Sequence, residues 1–142
     1  MASPRASDGK TTIVTTRSGS DLYLVDSTGW LEYLTEDSKA AAFGHYLEGE
    51  ASVIVPSVVI FEVYRHLAKH RGRPLADRFA SQALLRRVVP LDETVALAAA
   101  NVSLDHRLNG NDAIVYATAR VCQAQLVTAN THFRGLPGVI IP

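Results

Sequence analysis

Cysteine is almost missing from this chain of 142 residues, which has only Cys122. A single thiol excludes an internal disulfide and any zinc site built on several thiolates. It also fits a reducing compartment. Long apolar runs are lacking as well. A membrane-spanning helix needs roughly 18 consecutive apolar residues, and the longest candidate, Val53 to Phe61, is broken by Pro56 and Ser57. The opening Met1-Ala-Ser-Pro-Arg5 has no apolar stretch of the kind a secretion signal requires. The expectation is a cytoplasmic protein without membrane contact. Net charge is absent too, at 14 basic against 14 acidic residues, so bulk charge does not single out nucleic acid as a partner.

What is present suits one compact domain, with 47% hydrophobic and 20% charged residues. A chain of this length buries roughly two-thirds of its unfolded surface and needs no covalent staple. Residues 1–20, rich in Ser, Thr, Arg and Gly, read as a flexible tail, with the folded domain at 21–142. Gly9-Lys10-Thr11 in that tail looks like the end of a P-loop, but its partner glycine would fall on Pro4.

From position 22 onward, short apolar runs alternate with amphipathic segments. Strands are expected at Leu22–Val25, Ser52–Val55, Val88–Leu91, Leu126–Thr128 and Val139–Ile141. Helices are expected at about 29–35, 39–47, 58–70, 74–87, 92–108 and 112–122, with Pro56-Ser57 as turn and cap and Asn111 capping the last helix after Gly110. Strands alternating with helices imply an α/β fold, in which four to five parallel strands form a central sheet covered on both sides.

Three carboxylates stand out against their surroundings. Asp26 directly follows the first strand and so lies at the sheet's carboxyl edge, where open α/β sheets place their ligand crevice. It could equally be an Asx turn or a helix cap. Glu62 sits among Val58, Val59, Ile60, Phe61, Val63 and Tyr64, where a carboxylate is partly desolvated unless paired or bound to a cation. Arg65 or His66, one helical turn on, would be the ordinary partner. Asp112 opens a helix, where capping alone could explain it. Asn130 follows the fourth strand, again at the carboxyl edge, in a place where a turn would also accept it.

Charge is unevenly spread. Arg65, Lys69, Arg71, Arg73, Arg78, Arg86 and Arg87 are half of the 14 basic residues and share their segment with one acid, Asp77. This predicts a basic face on a neutral protein, open to a polyanion or simply solvated. His66 and His70 lack the Glu of a His-Glu-x-x-His metal site and belong with that face. Trp30, Tyr33 and Tyr46 read as core or contact surface rather than as stacking platforms.

Taken together, four segments resemble the motifs of PIN-domain nucleases. They are Asp26-Ser-Thr-Gly-Trp-Leu-Glu-Tyr33, Pro56-Ser-Val-Val-Ile-Phe-Glu62-Val-Tyr-Arg65, Asn111-Asp112-Ala-Ile-Val-Tyr-Ala-Thr-Ala-Arg120 and Leu126-Val-Thr-Ala-Asn130-Thr-His-Phe-Arg-Gly-Leu-Pro-Gly-Val139. Their order, spacing and total length are similar to those of the VapC-type toxins of bacterial toxin–antitoxin pairs, over about residues 22–141. The resemblance implies a three-layer α/β/α PIN fold and a Mg²⁺- or Mn²⁺-dependent endoribonuclease. It further implies a homodimer neutralised by a VapB-type antitoxin. The fourth motif commonly carries Asp where this chain has Asn130, whose carbonyl brings an oxygen but no charge. A PIN fold that binds RNA or antitoxin without cutting, and a housekeeping RNA-processing nuclease, are the alternatives.

The chemistry asks for such residues. Carboxylates brought within about 4 Å repel by roughly 4 kcal/mol per pair at an effective dielectric of 20, so a cluster invites a cation. Hard oxygen ligands select Mg²⁺ or Mn²⁺, which can activate a water and screen a phosphodiester. On this reading Asp26 and Asp112 bind metal, Glu62 holds or deprotonates the attacking water, and Thr28 and Asn130 complete the shell. Arg65, Lys69, Arg71 and Arg73 are the candidates for contact with the RNA backbone. An Asp-x-Asp phosphatase is excluded by Thr28, and a response-regulator receiver by the lack of any Lys after Lys69.

Overall fold

The computed structural model describes residues 22–142; the flexible-tail expectation for 1–20 lies outside the described residues. Leu22–Val25 (β1), Ser52–Pro56 (β2), Arg87–Val89 (β3), Gln125–Val127 (β4) and Val139–Ile140 (β5) form one sheet in the order β3-β2-β1-β4-β5. All four pairings are parallel, with Leu24 opposite Ile54 on one side and opposite Leu126 on the other. β1 and β4 are uninterrupted apolar runs at their buried ends, as a strand covered on both faces requires.

Six helices connect the strands: Ser27–Leu34 (α1), Ala40–Leu47 (α2), Ser57–His70 (α3), Arg73–Leu84 (α4), Glu93–His106 (α5) and Gly110–Val121 (α6). The result is the expected three-layer α/β/α arrangement. Its core includes Leu24, Trp30, Phe43, Ile54, Val63, Leu67, Phe79, Leu126 and Phe133, each at most 1% exposed. Trp30 meets Phe79 edge-on at 5.1 Å, and the Arg86 guanidinium lies 5.7 Å above the indole. Trp30 is therefore core, as expected, and truncating Phe79 to Ala would cost about 3–5 kcal/mol.

Several boundaries differ from the sequence expectation: β3 is Arg87–Val89 rather than Val88–Leu91, α4 ends at Leu84 rather than near 87, and β4 is Gln125–Val127 rather than Leu126–Thr128. β2 runs straight into α3 with no intervening turn, because the extended backbone of Pro56 already serves as the cap position. Gly110 begins α6 instead of ending α5, which stops where Arg107 turns left-handed at φ 57°. Asn109, not Asn111, stands at the cap position of α6, and this frees the Asn111 side chain for another partner.

The strand order also locates the crevice. From β1 the chain winds outward through β2 to β3, then returns to β4 on the other side of β1 and continues to β5. The winding reverses between β1 and β4, and their carboxyl ends open the crevice of a doubly wound sheet.

Candidate active site

Asp26 stands at that crevice, one residue past β1, and is 3% exposed. Its Oδ1 accepts hydrogen bonds from Thr28 Oγ1 at 2.7 Å and from the Gly29 backbone N–H at 3.1 Å. The helix-cap reading of Asp26 is thus correct for one oxygen. The other, Oδ2, accepts from Thr128 Oγ1 at 2.6 Å, across the β1–β4 boundary. That contact follows from register. Val25 pairs with Val127, so the next residues of the two strands, Asp26 and Thr128, emerge side by side.

Burial pushes the Asp26 carboxyl above the ordinary aspartate range, against the pull of the Thr128 and Thr28 hydroxyls and the Gly29 N–H. The negative charge of Glu62 adds to the upward push, which brings the second expected acid into the same electrostatic site. Glu62 does not pair with Arg65 or His66. Its Oε2 accepts from Asn111 Nδ2 at 2.7 Å, because the first turn of α6 faces this side of α3.

Asp112 lies in the first turn of α6, but its carboxylate caps no backbone group there. One oxygen lies 3.5 Å from Asn130 Nδ2 and the other 3.6 Å from His132 Nδ1. The Asn130 carbonyl accepts the His132 backbone N–H at 2.9 Å and so shapes the short 3₁₀ turn Thr131–Phe133. The Asn130 backbone N–H donates to Thr128 Oγ1 at 2.9 Å, and Ala129 N–H donates to Thr28 Oγ1 at 3.0 Å. A continuous polar chain therefore runs from Asp112 through Asn130 and Thr128 to Asp26.

Thr128 and His132 were within the fourth motif but carried no expected role. The signal for Thr128 is a hydroxyl at the end of an apolar strand, and it becomes legible only once β1 and β4 are known to be neighbours.

Among the described residues, no three His, Cys, Asp or Glu side chains converge into one ligand cluster. The donor chemistry nonetheless suits a hard divalent cation. Asp26 is a buried carboxylate with a second carboxylate acting on it, and no cationic side chain among the described residues is paired with either. Mg²⁺ commonly binds through one or two carboxylates and keeps several waters.

The expected basic residues lie apart from this network. Arg65, Lys69, Arg71 and Arg73 are all exposed, at the end of α3 and the start of α4. His66 and His70 stack at 4.5 Å, and His66 is pulled below the ordinary histidine range by burial first and then by the charges of His70 and Lys69.

Compared with known proteins, a family model described as the PIN domain matches residues 23–139. The chain belongs to the PIN-domain family. No curated relative matches this PIN domain. Among solved structures it is similar to a toxin–antitoxin complex from Klebsiella pneumoniae, with a TM-score of 0.73 and 21% identity over 84% of this chain and 97% of that one. A VapC from Mycobacterium tuberculosis, described as a sarcin–ricin-loop-cleaving toxin, gives 0.69 and 17% over 84% and 98%. VapBC from Rickettsia felis, bound to a DNA fragment from its promoter, gives 0.66 and 16% over 85% and 97%. At these identities the likeness is one of fold.

Proposed function

We propose that this PIN domain is a metal-dependent endoribonuclease and the toxin of a toxin–antitoxin pair, held inactive by a VapB-type antitoxin. The observation that carries the reading is the buried Asp26 carboxylate at the switch point, acted on by Glu62 and tied to Asp112 through Thr128 and Asn130. The shared fold of the toxin–antitoxin complexes supports the biological setting.

Asp26 and Asp112 would hold the cation, Mg²⁺ or Mn²⁺, with Glu62 reaching it through a retained water. When bound, it supplies Lewis acidity and positive charge against the phosphodiester. Asn111 fixes one Glu62 oxygen, leaving the other to orient the attacking water and take its proton. Thr28 and Thr128 hold Asp26 in one rotamer. Asn130 orients Asp112 through its amide group, a positioning role in place of the charge that Asp would bring. Arg65, Lys69, Arg71 and Arg73 would neutralise RNA phosphates away from the cut.

Two copies would pair through α5, whose Leu97 and Leu104 are 69% and 80% exposed and two helical turns apart. The setting is cytoplasmic, and among the described residues no helix is long and apolar enough to cross a membrane.

The test is substitution at the acids. Glu62→Gln and Asp112→Asn should each lower RNA cleavage by about 100-fold or more, the usual scale for a lost general base, with an unchanged far-ultraviolet circular dichroism spectrum. Undiminished cleavage by a folded variant would remove that residue from the site.

A further inference from the structure

We propose that the cleft at the amino edge of the sheet binds a phosphate monoester through Arg86 and Arg87. This goes beyond the ribonuclease reading and concerns the opposite end of the strands. Four residue steps separate Leu22, in the cleft, from Asp26, in the crevice, which is about 13 Å along β1. The cleft is about 370 Å³ in volume and is lined by Leu22, Ser52, Val53, Ile54, Arg86 and Arg87. Register makes it. Ser52 and Val53 pair with Leu22 and Tyr23 of β1, but β3 joins β2 only from Ile54, opposite Arg87. The first two residues of β2 therefore have a strand on one side alone, and the two arginines at the start of β3 stand beside that notch.

Arg86 and Arg87 come to the notch from opposite sides, as adjacent residues entering a strand do. The Arg86 guanidinium lies over Trp30, and its Nη2 donates to the Leu47 carbonyl at 2.6 Å. The Arg87 Nη2 lies 3.9 Å from Cys122 Sγ, a weak acceptor for a cation. No carboxylate of the described residues lines the cleft or pairs with either guanidinium. Arg86 Nε is buried and donates to no protein group among the described residues. A buried donor is costly unless an acceptor reaches it, and the guanidinium fork matches the oxygens of a carboxylate or a phosphate.

Charge and lining select among the anions. A phosphate monoester carries about −1.5 to −2 charges at neutral pH on three terminal oxygens, which matches two guanidiniums and the Ser52 hydroxyl. A carboxylate brings a single charge on two oxygens, and a phosphodiester inside an RNA chain also brings a single charge. Leu22, Val53 and Ile54 give the rest of the cleft an apolar wall. That wall suits the organic group of the ester, whose removal from water adds to affinity.

The experiment is proton–nitrogen correlation spectroscopy of the full chain, following the Arg86 Nε–H signal. It is run in chelator, so that phosphate cannot act through a metal at the carboxylates. Titration with phenyl phosphate should move the signal saturably, whereas sodium chloride at equal ionic strength should not. Phenyl phosphate should bind about tenfold tighter than inorganic phosphate, because its ring leaves water. Arg86 packs on Trp30, so the variant of choice is the exposed Arg87. Arg87→Gln should weaken binding about tenfold, the scale of one lost charge-assisted hydrogen bond. Asp112→Asn should bind phenyl phosphate as the wild type does. An unmoved Arg86 signal, an equal response to sodium chloride, or undiminished binding by Arg87→Gln would overturn the proposal. Loss of binding in Asp112→Asn would move the anion to the crevice and overturn it too. Inorganic phosphate binding as tightly as phenyl phosphate would reject the monoester. None of these readouts depends on RNA cleavage.

Discussion

The Asp26 carboxylate accepts three hydrogen bonds in a nearly dry setting, and these two facts pull its ionisation in opposite directions. Burial wins, so the folded carboxyl titrates above its unfolded value of 3.8. Between those two values the native state keeps a proton that the unfolded chain has lost. Stability contributed by this group is therefore present at low pH and falls as pH rises through the raised folded value. In chelator, the urea midpoint of the wild type should fall relative to that of Asp26→Asn as pH is raised from 3.8. A pH-independent difference would contradict the burial argument. Adding Mn²⁺ at neutral pH should stabilise the wild type and leave Asp26→Asn unchanged, because ligand binding to the native state alone adds to stability.

Thr128→Val tests the other half of the balance. It removes the donor to Asp26 Oδ2 and should cost about 1–3 kcal/mol in urea unfolding while raising the Asp26 pKa further. At this scale the acids were legible in the sequence, because a carboxylate inside an apolar segment or at a strand's end is conspicuous. Their partners were not. Asn111 reads as a cap, and Glu62 has Arg65 or His66 as its ordinary partners. Only the docking of α6 beside α3 turns the two toward each other.

Among the elements, the joint between β1 and α1 is closely packed. A Cβ on Gly29 would come within 2.6 Å of Val25 Cγ1 and 2.7 Å of the Phe43 ring. α1 can therefore approach the strand only because position 29 carries no side chain. Gly29→Ala should cost about 1–3 kcal/mol by overpacking, read as a lowered thermal midpoint. Because the Gly29 N–H also binds Asp26 Oδ1, cleavage should fall with it. A fully stable, fully active Gly29→Ala would show that α1 has room to shift. Strands and helices were legible here by alternating apolar runs and caps such as Asp92, whose side chain does accept the Val95 N–H at 2.9 Å. The ends of α5 and α6 were not legible. Gly110 signals a helix stop, but Arg107 takes the left-handed turn that stops α5 earlier.

For the molecule as a whole, fold class followed from the rhythm of strands and helices, whereas strand order did not. No local pattern says that β4 returns to the side of β1 opposite β2, and that return creates the crevice. The pairing of copies is tested at the same scale. Leu104→Arg, at a position 80% exposed, should convert a dimer to a monomer in analytical ultracentrifugation without loss of fold. A variant that sediments like the wild type would move the subunit contact off α5.

The proposed activity is hydrolysis of RNA by the Asp26, Glu62 and Asp112 site with a divalent cation. The most direct measurement incubates the purified, antitoxin-free chain with total RNA in Mg²⁺, in Mn²⁺ and in chelator, beside Asp112→Asn. Discrete products that need the metal and vanish in the variant are expected. Intact RNA under every metal, from a folded protein, would contradict it and leave a PIN domain that binds its partners without cutting.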